Sequence, residues 1–204
     1  MNIIYPFLLV LGLVLPQSTI ASPSSATAEK TINALHAQLL IAMQLPRETT
    51  PSQRIELLRP AIEAAFDFST IGRIILGESW RALSSEQKIT FIDILQQLSV
   101  ATYANNFSKF SGQKFLVTQV KIKKKLTIID TQLTRSSDTS DKEPVSLKYL
   151  LKKNNGKWGI VNVIAQGVSD LALKRAEYSS IIKKRGFESL IQQLNGKIAN
   201  LQKM

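Results

Sequence analysis

The sequence predicts an α+β fold in which N-terminal helices lead into a four-stranded antiparallel sheet, with C-terminal helices after it. Two observations carry that prediction. Apolar residues recur at helical spacing from Ala28 to Phe110, change to short Val-, Ile- and Leu-rich runs between Phe115 and Ala165, then return to helical spacing as far as Leu201. Helices and strands are therefore segregated along the chain, which excludes an alternating βαβ sheet, and no fixed-period repeat occurs.

The chain opens with an apolar run, Ile3 to Leu15, followed by Pro16 and by small residues at Thr19 and Ala21. That run is too short to span a hydrocarbon core about 30 Å thick, and it has the form of a signal peptide cleaved after Ala21. Residues 1–21 are assigned to this signal, residues 22–27 to a linker and residues 28–204 to one domain.

In the first helix Ile32, Leu35, Leu39 and Met43 share a face. Pro46 to Pro51 interrupts the pattern, and Ile55, Leu58, Ile62 and Phe66 define a second helix, which Pro60 is expected to kink or divide. Asp67 is placed as the N-cap of a short helix ending at Gly77. Ser84 and Gln87 have the spacing of a capping box. They open the longest helix, to about Phe107, with Phe91, Ile94, Leu95, Leu98 and Ala101 on one face.

The four strands are Phe115–Lys125, Leu126–Arg135, Val145–Lys153 and Trp158–Ala165, with a polar loop from Ser136 to Glu143. Val145, Leu147, Tyr149 and Leu151 alternate with polar neighbours except at Leu150, the pattern of a half-buried strand. Asn155-Gly156 tolerates the positive φ of a two-residue hairpin turn. Gly167 is expected to turn the chain into a helix capped by Ser169, and Gly186 to separate that helix from a last one carrying Phe187, Leu190, Ile191, Leu194 and Ile198.

Composition narrows the chemistry. The absence of Cys excludes a disulfide scaffold, a thiolate zinc site and a Cys nucleophile, and the single His excludes a His-rich metal site. No phosphate-cradling glycine motif occurs. Ser85-Glu86-Gln87-Lys88 has SxxK spacing but lacks the partner motifs of serine acyl enzymes, so it is assigned to a capped helix start. Glu63 and Asp67 are four apart, but Asp67 is accounted for as a cap, and His36 is placed at the surface or boundary of the first helix. No enzyme constellation, metal site or cofactor site is identified.

The net charge is +11 and unevenly placed: residues 29–111 are neutral, residues 112–160 carry +7 and residues 161–204 carry +4. Lys121, Lys123, Lys124 and Lys125 form the densest run, a solvated strand face or a docking face for an acidic partner or anionic membrane. Interleaved aromatics, which a base-stacking platform needs, are absent there, so nucleic acid is not expected.

Phe66-Asp67-Phe68, Leu76-Gly77, Trp80-Arg81, Ser84-Ser85-Glu86-Gln87 and Thr102-Tyr103-Ala104 follow one another, and Trp158, Val161, Val163, Gly167-Val168-Ser169, Arg175, Tyr178 and Gly186 come later. In this order and spacing, over roughly residues 29–201, the chain resembles the MlaC family, also called the toluene-tolerance auxiliary family. Ala104-Asn105-Asn106-Phe107 with Phe110-Ser111-Gly112-Gln113-Lys114-Phe115 also resembles its hopanoid-associated relatives, called HpnM.

The resemblance implies a cystatin-like sheet curved around an apolar cavity. It further implies a periplasmic carrier that holds phospholipid acyl chains there, exchanging lipid with an inner-membrane ABC-type complex and an outer-membrane lipoprotein/porin complex. Pattern and resemblance together place the lining at Leu95, Leu98, Tyr103, Phe107, Leu147, Tyr149, Val161, Val163, Val168 and Leu171. A periplasmic hydrolase on the same scaffold and a cargo-free adaptor docking by its basic face are the competing readings.

Overall fold

The computed structural model describes residues 23–135 and 143–203. The signal-peptide assignment, residues 1–21, and most of the polar loop at 136–143 lie outside the described residues. The elements run α1 (Pro23–Met43), α2 (Pro51–Ala65), α3 (Phe68–Leu76), α4 (Ser79–Ala82), α5 (Ser85–Asn106), β1 (Lys114–Lys123), β2 (Leu126–Thr134), β3 (Val145–Asn154), β4 (Lys157–Ala165), β5 (Val168–Ser169) and α6 (Asp170–Leu201). This is the α+β arrangement that the segregated pattern predicts.

Four details differ from the sequence reading. Residues 23–27, expected as a linker, begin α1, where Pro23 at the helix start lacks only an N–H that has no intrahelical acceptor there. At the same end, Trp158 Nε1 donates to Thr27 Oγ1 at 3.0 Å and fastens the helix to the sheet. Pro60 does not divide α2. Arg54, Ile55, Leu58, Ile62 and Ala65 bury the inner face, while Pro60 and Glu56, whose carbonyl loses its helical donor, lie on the exposed face, where water replaces the missing bond. The one-turn α4 is additional, and a two-residue fifth strand, β5, pairs with the end of β4.

The caps fall where the side chains require them. Thr50 with Gln53 and Ser84 with Gln87 form reciprocal capping boxes that open α2 and α5. Asp67 accepts from Thr70 N at 2.9 Å at the start of α3, and Ser169 accepts from Ala172 N at 3.1 Å at the start of α6. Gly186, with φ 82° and ψ 174°, breaks the helical dihedrals of α6 at the position where two helices are expected to part.

The sheet is an antiparallel meander in the order β1-β2-β3-β4-β5. Its tight turns use positive φ at Lys124, at Asn155-Gly156 and at Gln166-Gly167. Bulges between Val117 and Gln119 and between Leu150 and Leu151 interrupt the ladder and raise the local twist. One face carries Ile129, Leu133, Leu147, Tyr149, Leu151 and Ile160 into a core shared with Ile32, Leu35 and Leu39 of α1, Leu58 and Ile62 of α2, Phe91 and Leu95 of α5, and Leu190 and Leu194 of α6.

The α2–α3 corner is tied directly to this sheet. Phe66 bridges Ile160, Asp67 N donates to Ile160 O at 3.0 Å, and the Asp67 carboxylate also accepts from Asn154 Nδ2. Gly159 makes the approach possible, because a Cβ there would stand 2.8 Å from Asp67 Cβ.

Candidate functional site

The helices and the inner sheet face enclose a run of aromatic rings. Phe68 stacks on Phe66 at 5.6 Å, Phe66 meets Tyr103 edge-on at 5.7 Å and Tyr103 stacks on Phe107 at 5.7 Å. Phe107 reaches Phe115 at 6.2 Å, and Phe115 lies parallel to the His36 imidazole at 4.0 Å. α5 contributes the middle of this run because Tyr103 and Phe107 are four residues apart at its C-terminal end.

His36 is not at the surface, as the sequence reading placed it: it is 4% exposed. α1 lies against β1 and β2 and carries the imidazole into the interior, where its polar edge has a partner, Tyr149 Oη at 3.0 Å from Nε2. Burial lowers the His36 pKa to about 4. Burial likewise raises the Tyr149 phenol, and it raises that of Tyr103 together with the nearby Tyr149 and Asp170. All three stay neutral at physiological pH, so this interior holds two phenols and an imidazole without a charge.

Of the residues expected to line a cavity, Leu95, Leu98, Leu147 and Tyr149 belong to the core cluster and Tyr103, Phe107, Val163 and Leu171 pack against it, whereas Val161 is not among them. Leu95, Leu98, Leu147, Tyr149 and Val161 are buried, and Tyr103, Phe107, Val163 and Leu171 are half-buried. Val168, on β5, is instead 53% exposed and stands outside the interior. Phe66, Phe115, Val117 and Val120 are also only half-buried although they pack against the core.

Two open apolar grooves adjoin the helices. One, of about 690 Å³, runs between α1 and α2 and is bordered by Ala34, Ala37, Leu57, Pro60, Ala61 and Ala64, with Lys30 at its rim. None of these residues was expected from the sequence. The signal that could have found them is small residues recurring at three-residue spacing on successive helices, at Ala34 and Ala37 and again at Ala61 and Ala64. The second, of about 470 Å³ between α5 and α6, is bordered by Leu98, Leu173 and Tyr178 and rimmed by Asp170, Lys174, Glu177 and Lys197. Among the described residues no group of three His, Cys, Asp or Glu is placed to hold a metal ion. No helix of the described residues is long and apolar enough to cross a membrane.

The outer face of the sheet has the opposite character. Register puts Lys121 beside Ile128 and Leu150, and Lys123 beside Leu126 and Lys152, so these lysines share one face with each other and with Lys148 beside Asp130. Asp130 lies 3.3 Å from Lys148 Nζ and 4.0 Å from Lys121 Nζ. Lys124 and Lys125 form the exposed β1–β2 turn rather than continuing the strand. Lys148 and Lys152 extend the predicted basic run onto β3, which sequence order alone does not display.

A single antiparallel meander with helices packed over one face, around an aromatic and uncharged interior, places the chain in the α+β proteins built on one helix-covered sheet. Within that class, the chain belongs to the MlaC protein family, whose model matches residues 31–196.

It is 24% identical over 125 residues to the intermembrane phospholipid transport system binding protein MlaC of Haemophilus influenzae. That match covers 60% of this chain and 58% of the relative, so the similarity spans less than two thirds of the relative's length. The fold is shared, at a TM-score of 0.73 and 20% identity, with a phospholipid-binding protein of Ralstonia solanacearum solved in complex with a phospholipid; the likeness covers 87% of this chain and 97% of that one.

Proposed function

We propose that this chain is a periplasmic lipid carrier that shelters phospholipid acyl chains between its sheet and helices. In this reading it passes lipid between an inner-membrane ABC-type complex and an outer-membrane lipoprotein/porin complex. The observation that carries the reading is the aromatic run beside the sheet, in which Phe66, Tyr103, Phe107 and Phe115 touch one another and pack against the core while staying only half-buried. The name of the Haemophilus relative and the phospholipid bound to the Ralstonia protein support it.

Exposing one methylene to water costs about 0.8 kcal/mol, so an acyl chain of about fifteen methylenes costs roughly 12 kcal/mol to carry bare through an aqueous gap. A carrier removes most of that cost by surface burial and needs no bond-making group. Leu95, Leu98, Tyr103, Phe107, Leu147, Tyr149, Val161, Val163 and Leu171 are assigned to the acyl-chain environment, and Val168 to its outer edge. The lysine face on β1 and β3 is assigned to docking. Export by the N-terminal signal completes the reading.

The test is organic extraction of protein purified without detergent, followed by mass spectrometry. A diacyl phospholipid is expected at near-stoichiometric yield. Val163→Trp, which places an indole beside Tyr149 in the sheet register, should lower the bound lipid with little change in melting temperature. A lipid-free parent protein whose Val163→Trp variant melts lower would mean a packed core and would remove the carrier reading. Recovery of hopanoid instead of phospholipid would move the protein to the hopanoid-associated relatives.

A further inference from the structure

The α1–α2 loop meets the C-terminal ends of α5 and α6 around a small cavity of about 190 Å³. Arg47, Arg54 and Lys109 border it together with Thr49, Asn105 and Ser108, and no acidic residue does. Arg54 is 6% exposed. Its Nε donates to Ala42 O at 3.3 Å, which uses one of five guanidinium N–H groups.

The terminal nitrogens of Arg54 are bonded to no protein acceptor, and neither is among the fully enclosed polar atoms without partners, which among the described residues are Thr127 Oγ1 and Gln193 Nε2. Arg54 is itself one of the residues that border the cavity. Arg47, Arg54 and Lys109 take part in none of the ion pairs among the described residues. A buried guanidinium without a carboxylate is costly unless an anion is supplied from outside, and here two more cations converge on the same space.

We propose that this cavity is a binding site for a phosphate group. Arg54 supplies a planar fork fixed by burial, Arg47 and Lys109 supply charge at the border of the cavity, and the Thr49 and Ser108 hydroxyls supply neutral donors. The first turn of α2 begins at this cavity, at Pro51, and adds the positive end of a 15-residue helix.

A neighbouring groove of about 590 Å³ shares Arg47, Ser108 and Lys109 and is bordered by Met43, Leu45 and Phe110, the last 46% exposed. It gives the apolar remainder of a phosphate-bearing amphiphile a place beside its phosphate. The site stands apart from the aromatic interior: Asn105, Ser108 and Lys109 border it, whereas Tyr103 and Phe107 of the same segment join the aromatic run. The inference holds whether or not that interior carries lipid.

The test follows the backbone amides of Thr49, Ser108 and Lys109 by 15N–1H NMR in phosphate-free buffer. Three probes are titrated: inorganic phosphate, dihexanoyl phosphatidylglycerol below its micelle concentration, and dihexanoylglycerol, which lacks the phosphate. Saturable shifts with the phospholipid and none with dihexanoylglycerol are expected, and a parallel response to inorganic phosphate alone would assign the site to the free anion.

Each charge-assisted contact is worth about tenfold in affinity, so Arg47→Gln/Lys109→Gln, which alters two exposed side chains, should weaken binding by about a hundredfold. Arg54→Lys, which keeps the charge and loses the fork, should weaken it less. The proposal is overturned if these amides do not respond to either phosphate-bearing probe, if dihexanoylglycerol moves them equally, or if the double variant binds as tightly as the parent.

Discussion

His36 is the one imidazole in the chain, and its burial makes stability depend on pH in a way that can be isolated. In the unfolded chain it titrates near its ordinary value of 6.5, whereas in the folded protein burial holds it near 4. A histidine depressed in this way favours the unfolded chain as protons are added. No penalty operates above pH 6.5; it grows as pH falls through the window and levels off below about pH 4. At about 1.36 kcal/mol per pH unit the loss reaches roughly 2 kcal/mol at pH 5 and roughly 3 kcal/mol in full.

Urea unfolding between pH 7.5 and 4 measures the effect against His36→Phe, which keeps a ring against Phe115 and removes the titration. His36→Phe leaves the Tyr149 hydroxyl unpaired, at a pH-independent cost of about 1–3 kcal/mol. His36→Phe/Tyr149→Phe should recover most of that cost. Carboxylates contribute equally to all three proteins, so the difference in slope belongs to His36. Identical stability–pH profiles for parent and variant would refute the buried, neutral imidazole.

Gly159→Ala should destabilise by about 1–3 kcal/mol in thermal unfolding, because the new Cβ meets Asp67 Cβ at 2.8 Å and Asp67 N at 3.1 Å; an unchanged melt would mean the α2–α3 corner is not seated on the sheet. Gly186→Ala should cost about 1–3 kcal/mol through its backbone conformation alone, φ 82° and ψ 174°, since no heavy atom lies within 4 Å of the added Cβ; a stabilised variant would mean α6 runs straight through this position. Lys121→Glu/Lys123→Glu/Lys124→Glu should slow association with isolated membrane complexes in surface plasmon resonance. Added salt should imitate it, since screening acts over ~8 Å at physiological ionic strength, and rates indifferent to both would reduce these lysines to a solvated face.

The parts legible from sequence are those fixed by neighbours in the chain. Ser84 and Gln87 announce a helix start because their bonds span three residues, and Asn155-Gly156 announces a turn because positive φ is a local demand. The buried α5 face of Phe91, Ile94, Leu95, Leu98 and Ala101 follows from period alone. What escaped depends on distant partners. His36 is buried because Tyr149, 113 residues later, supplies a hydrogen bond. β5 is too short to have a period of its own and exists only by pairing with β4. Lys148 and Lys152 join Lys121 and Lys123 only through strand register, and Arg54, polar in a helical pattern, gives no sign in sequence that it is buried.

The order of the sheet also bears on how the protein assembles. Every strand pairs with its immediate neighbours in sequence, so the sheet closes through short loops at small entropic cost, apart from the wider β2–β3 connection. α1 is held by contacts of another range: Trp158 to Thr27 spans 131 residues and Tyr149 to His36 spans 113. Synthesised first, α1 can dock only after the strands that receive it have emerged. The meander thus closes through its own local contacts, whereas the seat of α1 on the sheet is made by residues far from it in the chain.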